Sequence, residues 1–156
     1  MKLDKFEPTK QEVLDAMLGL AKVRPNLKHI DLGSGDGQIV NTAIQLGLDS
    51  YGIEIEPDLA QLSRDTYGIT VLNEDCFNSD VSKADIITCW FTLLPGTTDL
   101  MNKLYREMKK GSILIKEGYT PSNWETTLVG ANYPTEVFQG KNVYRVAGEI
   151  ICVYKK

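Results

Sequence analysis

With 156 residues, 42% of them hydrophobic and 24% charged, the chain is long enough to bury a core without disulfides or metals, and its composition is neither disordered nor membrane-like. A formal charge of −4 with no basic patch or stripe disfavours a nucleic-acid phosphate backbone as partner. One histidine, His29, and three widely spaced cysteines, Cys76, Cys89 and Cys152, leave a transition-metal site almost without ligands, so no metal and buried, reduced thiols are expected.

The opening stretch, MKLDKFEPTKQEV, lacks the apolar run of a signal peptide, and nowhere does the chain approach the roughly 18 apolar residues of a membrane span. A cytoplasmic or other reducing intracellular location is therefore expected. Thr9-Lys10-Gln11-Glu12 reads as a capping box that opens a helix over about 9–23, with Val13, Met17, Leu20 and Ala21 at helical spacing. Strand and helix signals then alternate. Leu27 to Leu32 is a strand, Gly37 to Leu46 a helix stopped by Gly47, and Ser50 to Ile55 a second strand. Pro57 starts a helix through about Tyr67, Gly68 ends it, and Gly68 to Leu72 is a third strand.

Asp85 to Phe91 reads as a buried fourth strand, Thr97 to Lys109 as the most amphipathic helix, and Ser112 to Lys116 as a fifth strand. Residues 118–140 read as an aromatic-rich loop with a short helix. Asn142 to Val146 and Glu149 to Tyr154, separated by Ala147-Gly148, are two strands close enough to pair antiparallel. The pattern predicts one α/β domain over 1–156: a mainly parallel seven-stranded sheet, helices on both faces and a C-terminal antiparallel strand pair. Residues 27–91 form the expected ligand-binding half and 92–156 the substrate side.

In such a sheet a ligand sits beyond the carboxyl ends of the strands, usually at the first βα turn, here DLGSGDGQ. A dinucleotide site would show G-x-G-x-x-G, but counting from Gly33 the third glycine falls on Gln38. What stands there is Asp31-x-Gly33-x-Gly35-x-Gly37. Such glycines let a ligand approach the backbone ahead of a helix N-terminus, while the acid suits a cation or simply caps the turn. This pattern resembles the first motif of class I S-adenosylmethionine-dependent methyltransferases, whose cofactor has no pyrophosphate but carries an ammonium and a sulfonium. The resemblance implies S-adenosyl-L-methionine as cofactor, S-adenosyl-L-homocysteine as product, and a Rossmann-like fold. It implies a site containing Asp31, Gly33, Ser34, Gly35 and Gly37.

Glu54, near the end of the second strand, stands where an acid accepts hydrogen bonds from both ribose hydroxyls, and Ile55 suits one adenine face. Glu56 is expected to cap the next helix beside Pro57. Past the third strand, the resemblance implies that Asp75 meets the adenine amino group and that the Cys76 N–H meets a ring nitrogen.

PTKQEVLDAM, DLGSGDGQIV, YGIEIEPDLAQLSR, EDCFNSDVSKADIIT and the GSILIKEGYTPSNW region together resemble the small single-domain protein lysine methyltransferases. These include archaeal enzymes and mitochondrial ones that act on ATP synthase c-subunits. The chain departs from that family at Gln38, where arginine is more usual, and over the WFTLLP segment. No (D/N)PP(Y/F) follows the fourth strand, which weakens nucleic-acid bases as substrates. The resemblance implies in-line methyl transfer to a lysine ε-amine of a protein, with a small molecule or RNA, or a non-catalytic cofactor-binding module, as the alternatives. Thr88, Trp90, Phe91 and Trp124 are the substrate-channel candidates, with Tyr119 and Tyr133 near the same mouth; the competing role for the aromatics is packing or covering the sheet. No residue stands out as a catalytic base.

Overall fold

The computed structural model describes residues 9–90, 97–117, 142–146 and 149–156. In chain order it contains helix α1 (Gln11–Leu20), strand β1 (Lys28–Leu32), α2 (Gln38–Gln45), β2 (Asp49–Ile53), α3 (Pro57–Tyr67), β3 (Val71–Leu72), a 3-10 turn (Cys76–Asn78), β4 (Ile86–Cys89), α4 (Thr97–Glu107), β5 (Ile113–Glu117), β6 (Asn142–Val146) and β7 (Glu149–Lys155). The seven strands form one sheet in the order β3-β2-β1-β4-β5-β7-β6. The first five run parallel, and β7 is antiparallel to both β5 and β6. This is the mainly parallel sheet with a C-terminal antiparallel pair that the alternation predicts, and the Rossmann-like fold that the resemblance implies.

Alternation along each strand sends its side chains to opposite faces. Ile30, Leu32, Ile87, Cys89, Leu114, Cys152 and Tyr154 pack with Leu100, Met101 and Leu104 of α4 and with Met108 just past its end. On the other face Ile86, Ile115, Ile151 and Val153 pack with Val13, Leu14 and Met17 of α1 and Ile39 and Ala43 of α2. The central strand β4 is buried throughout, which is why it reads as a continuous apolar run. His29 and Asp31 alternate with Ile30 and Leu32, so both polar groups of β1 lie under α1 and α2, fully buried.

Several boundaries differ from the sequence expectation for identifiable reasons. Lys10, not Thr9, is the N-cap of α1, and no side chain caps that helix, so the capping box does not form; the helix also ends at Leu20. Pro57 does open α3, and Gly68, with φ at 64°, closes it by donating to Arg64 O. With Gly68 used as a helix cap, β3 shortens to Val71–Leu72, anchored where Arg64 Nε donates to Val71 O at 3.1 Å. β2 stops at Ile53 and β4 at Cys89, leaving Glu54 and Trp90 just past the strand ends.

Candidate functional site

The turn between β1 and α2 is held from below. Gly33 and Ser34 both donate their N–H to Ile53 O, at 2.8 and 3.0 Å, which folds the loop back over the end of β2. Gly52 makes room for it: a Cβ there would sit 2.6 Å from Ser34 Cβ. Gly37, at φ 86°, has a different reason to be glycine, because a Cβ would come within 2.6 Å of Ile69 Cδ1 and 2.7 Å of Ser63 Cβ. Its missing side chain therefore serves the packing of α2 on α3.

Glu54 is 5% exposed. Its Oε2 accepts from Gly35 N at 2.7 Å and its Oε1 from Glu56 N at 3.0 Å, so the carboxylate ties the end of β2 to the glycine loop. Glu56 occupies the N-cap position of α3, but its side chain makes no capping bond there. Asn73 Nδ2 donates to the carbonyls of Glu54 and Ile55, at 2.9 and 3.0 Å, and fixes this corner; nothing in its sequence position announces that role. Ile55 is exposed beside it. After β3, Asp75 caps the 3-10 turn by accepting from Phe77 N at 2.9 Å. Burial, then nearby Cys89 and Asp75, push the Cys76 thiol up to about 12.

Asp31 is the most unusual group in the loop. Its Oδ1 accepts from the Thr88 hydroxyl at 2.6 Å, whereas its Oδ2 is buried with no hydrogen-bond partner. Burial pushes the carboxyl up to about 7, opposed by the Thr88 hydrogen bond and reinforced by Glu54 and Asp36. Behind it, His29 Nε2 lies 2.8 Å from Thr88 Oγ1 and His29 Nδ1 lies 2.7 Å from Ser50 Oγ. Burial pushes the imidazole down to about 3, so it is neutral at pH 7. This hydrogen-bonded chain is not among the sequence expectations. Two polar residues at alternate positions of an apolar strand, His29 and Asp31, are its trace in the sequence, but Ser50 and Thr88 join it only through strand register.

Thr88, expected at the substrate channel, is fully buried and its hydroxyl donates to Asp31. Trp90 is half-buried and packs against the α1–α2 cluster. Phe91, Tyr119, Trp124 and Tyr133 lie outside the described residues.

Three successive parallel strands therefore carry an acid at or just past their carboxyl ends: Asp31 on β1, Glu54 after β2 and Asp75 after β3. The fit to a ligand with an ammonium, a ribose and an adenine rests on Asp31 Oδ2, since a buried acceptor without a partner costs the full desolvation of that atom. A cationic N–H donor would satisfy it. Ser34 Oγ in the same loop and Gln38 Oε1 at the start of α2 are also buried without partners.

The model of the ANTKMT methyltransferase domain matches residues 31–127. The chain is 27% identical over 129 residues to a protein-lysine N-methyltransferase of Saccharolobus islandicus (strain REY15A), covering 76% of this chain and 79% of that protein. Among solved structures it resembles an RNA methyltransferase from Salinibacter ruber in complex with S-adenosyl-L-homocysteine, with a TM-score of 0.76 and 26% identity over 96% of this chain and 93% of that one. A ribosomal protein L11 methylase from Lactobacillus delbrueckii subsp. bulgaricus shares the fold, with a TM-score of 0.75 and 18% identity over 92% and 77% of the two chains. No helix among the described residues is long and apolar enough to cross a membrane.

Proposed function

The chain belongs to the family defined by the ANTKMT methyltransferase domain, and within S-adenosylmethionine-dependent methyl transfer we propose that its acceptor is a lysine ε-amine of a protein. The reading is carried by the partnerless, buried Oδ2 of Asp31 at the head of three strand-end acids. The name of the Saccharolobus islandicus relative supports lysine, and a formal charge of −4 favours a cationic partner.

Asp31 Oδ2 accepts a hydrogen bond from the methionine ammonium. The Glu54 carboxylate accepts from the ribose hydroxyls while keeping Gly35 and Glu56, since an ionised carboxylate has about four acceptor sites. Ile55 covers one adenine face, and Asp75 with the Cys76 N–H meets the adenine edge. Gly33 and Gly35 let the methionine end approach the backbone, with Ser34 offering its hydroxyl. When bound, S-adenosylmethionine supplies an activated methyl on its sulfonium.

The protein's task is to hold the amine in line with that methyl along a dry approach. A free lysine titrates at about 10.4, so desolvation near the methyl must favour the neutral amine. Trp90, with Phe91 and Trp124, is our candidate wall for this approach. Thr88 belongs to the cofactor half instead. We also place the protein in a reducing intracellular compartment, which suits the buried Cys89 and Cys152.

The Salinibacter ruber likeness favours RNA as the second reading. Transfer of labelled methyl into a cell extract, followed by protease or nuclease digestion, separates them. Protease-sensitive label recovered as methyl-lysine supports the proposal, and nuclease-sensitive label overturns it.

A further inference from the structure

We propose that His29 and Thr88 are positioning residues for cofactor binding: the chain Ser50–His29–Thr88–Asp31 runs in one direction when Asp31 is ionised, and the cofactor's ammonium locks it that way. The inference rests on the cofactor site proposed above, but neither histidine nor threonine touches the cofactor in it.

The direction follows from counting protons. An ionised carboxylate only accepts, so the single Thr88 hydroxyl proton goes to Asp31 Oδ1, 2.6 Å away. Thr88 Oγ1 must then accept from His29, which places the imidazole proton on Nε2, 2.8 Å away. Nδ1 is left bare and accepts from the Ser50 hydroxyl at 2.7 Å. All three donors point toward one carboxylate oxygen, and the other, Oδ2, is left partnerless for the ligand. If Asp31 instead carries a proton on Oδ1, the chain reverses: Asp31 donates to Thr88, Thr88 donates to Nε2, and Nδ1–H donates to Ser50. The imidazole tautomer thus reports the ionisation of the carboxylate.

Among the described residues nothing else on this face competes for the role. The titratable groups facing Asp31 among the described residues are His29 on its own strand, Glu54 after β2 and Asp36 in the loop, and both of these acids disfavour its ionised form. From the packed helices, α1 and α2 bury apolar Val13, Met17, Ile39 and Ala43 on this side of the sheet. Thr88 is the one hydrogen-bond donor to the Asp31 carboxylate among the described residues, so it and the histidine that orients it set how readily the carboxylate meets a cation.

His29 is the sole histidine of the chain, so its ring nitrogen signals need no assignment. Nitrogen-15 NMR of the wild-type protein saturated with S-adenosylhomocysteine is expected to show a neutral ring protonated on Nε2. In the ligand-free protein at about pH 5, where Asp31 is protonated, the Nδ1–H form is expected to gain population. Calorimetry with the same ligand from about pH 5 to about pH 8 is the second arm. Thr88→Val removes the donor at nearly constant volume and is expected to weaken binding roughly tenfold at neutral pH, moving the pH midpoint upward. Thr88→Ser, which keeps the hydroxyl, restores the wild-type midpoint. A bound-state Nδ1–H tautomer, or a Thr88→Val profile with an unmoved midpoint, overturns the proposal while leaving the cofactor site intact. Failure of wild-type protein to bind the ligand at any pH overturns the cofactor site and this inference with it.

Discussion

Glu54 Oε2 accepts a hydrogen bond from Gly35 N at 2.7 Å, joining the end of one strand to the turn after its neighbour. The same carboxylate that faces the ribose in the proposed complex therefore also shapes the glycine loop. Structural and ligand-binding roles are fused in one side chain, which has consequences for its variants.

Glu54→Ala is expected to leave Gly35 N and Glu56 N without their acceptor and to destabilise the protein by about 1–3 kcal/mol, read as a lower urea midpoint. Affinity for S-adenosylhomocysteine should fall by more than this loss of stability explains, because both ribose contacts go too. Glu54→Gln keeps one acceptor oxygen but sets its NH2 against the other backbone N–H, so it should recover part of the stability but not the affinity. Equal recovery of both would separate Glu54 from the ribose.

Gly52→Ala should cost about 1–3 kcal/mol, because its Cβ would meet Ser34 Cβ at 2.6 Å in a packed turn. Ser34→Gly in the same chain removes the colliding atoms and is expected to return part of that loss. Additive effects in this double-mutant cycle, measured by chemical denaturation, would contradict the direct contact.

The two perturbed groups on β1 give opposite pH dependences. Asp31 binds its proton more tightly folded, with the carboxyl at about 7 against an ordinary value near 3.8, so stability is lost as pH rises from about 4 to about 7. His29 binds its proton less tightly folded, at about 3 against 6.5, so stability is gained as pH rises through about 3 to 6.5. Where the windows overlap, the slopes oppose each other. Asp31→Asn should therefore expose a stability that climbs with pH up to about 6.5. His29→Gln should expose one that falls with pH up to about 7. Denaturation midpoints across this range check both signs.

Cys76, held up to about 12, carries very little thiolate at pH 8. Alkylation of its peptide by iodoacetamide, followed by mass spectrometry, is expected to be at least about a hundredfold slower than for a free cysteine. A rate like that of a free thiol would show that the 3-10 turn opens readily.

Much of this architecture is legible in the residues because local signals and tertiary packing agree. Pro57 and Gly68 mark the two ends of α3, and the apolar run of β4 reflects a strand covered on both faces. Thr9 misled because a side chain with capping chemistry is necessary but not sufficient; the helix begins one residue later. Asp31, Glu54 and Asp75 could be placed at strand ends from spacing alone. What spacing does not carry is register across the sheet: Thr88 lies opposite Asp31 and Ser50 opposite His29 only once three parallel strands are aligned. For the same reason Gly52 reads as an ordinary strand glycine until Ser34 folds over it.

The most direct test of the central claim is calorimetric titration of S-adenosylhomocysteine into wild-type and Asp31→Asn proteins at neutral pH. Wild-type protein is expected to bind, with Asp31→Asn at least about tenfold weaker because the ammonium loses its charged acceptor. No binding to the wild type, or equal affinity in the two proteins, would contradict the account.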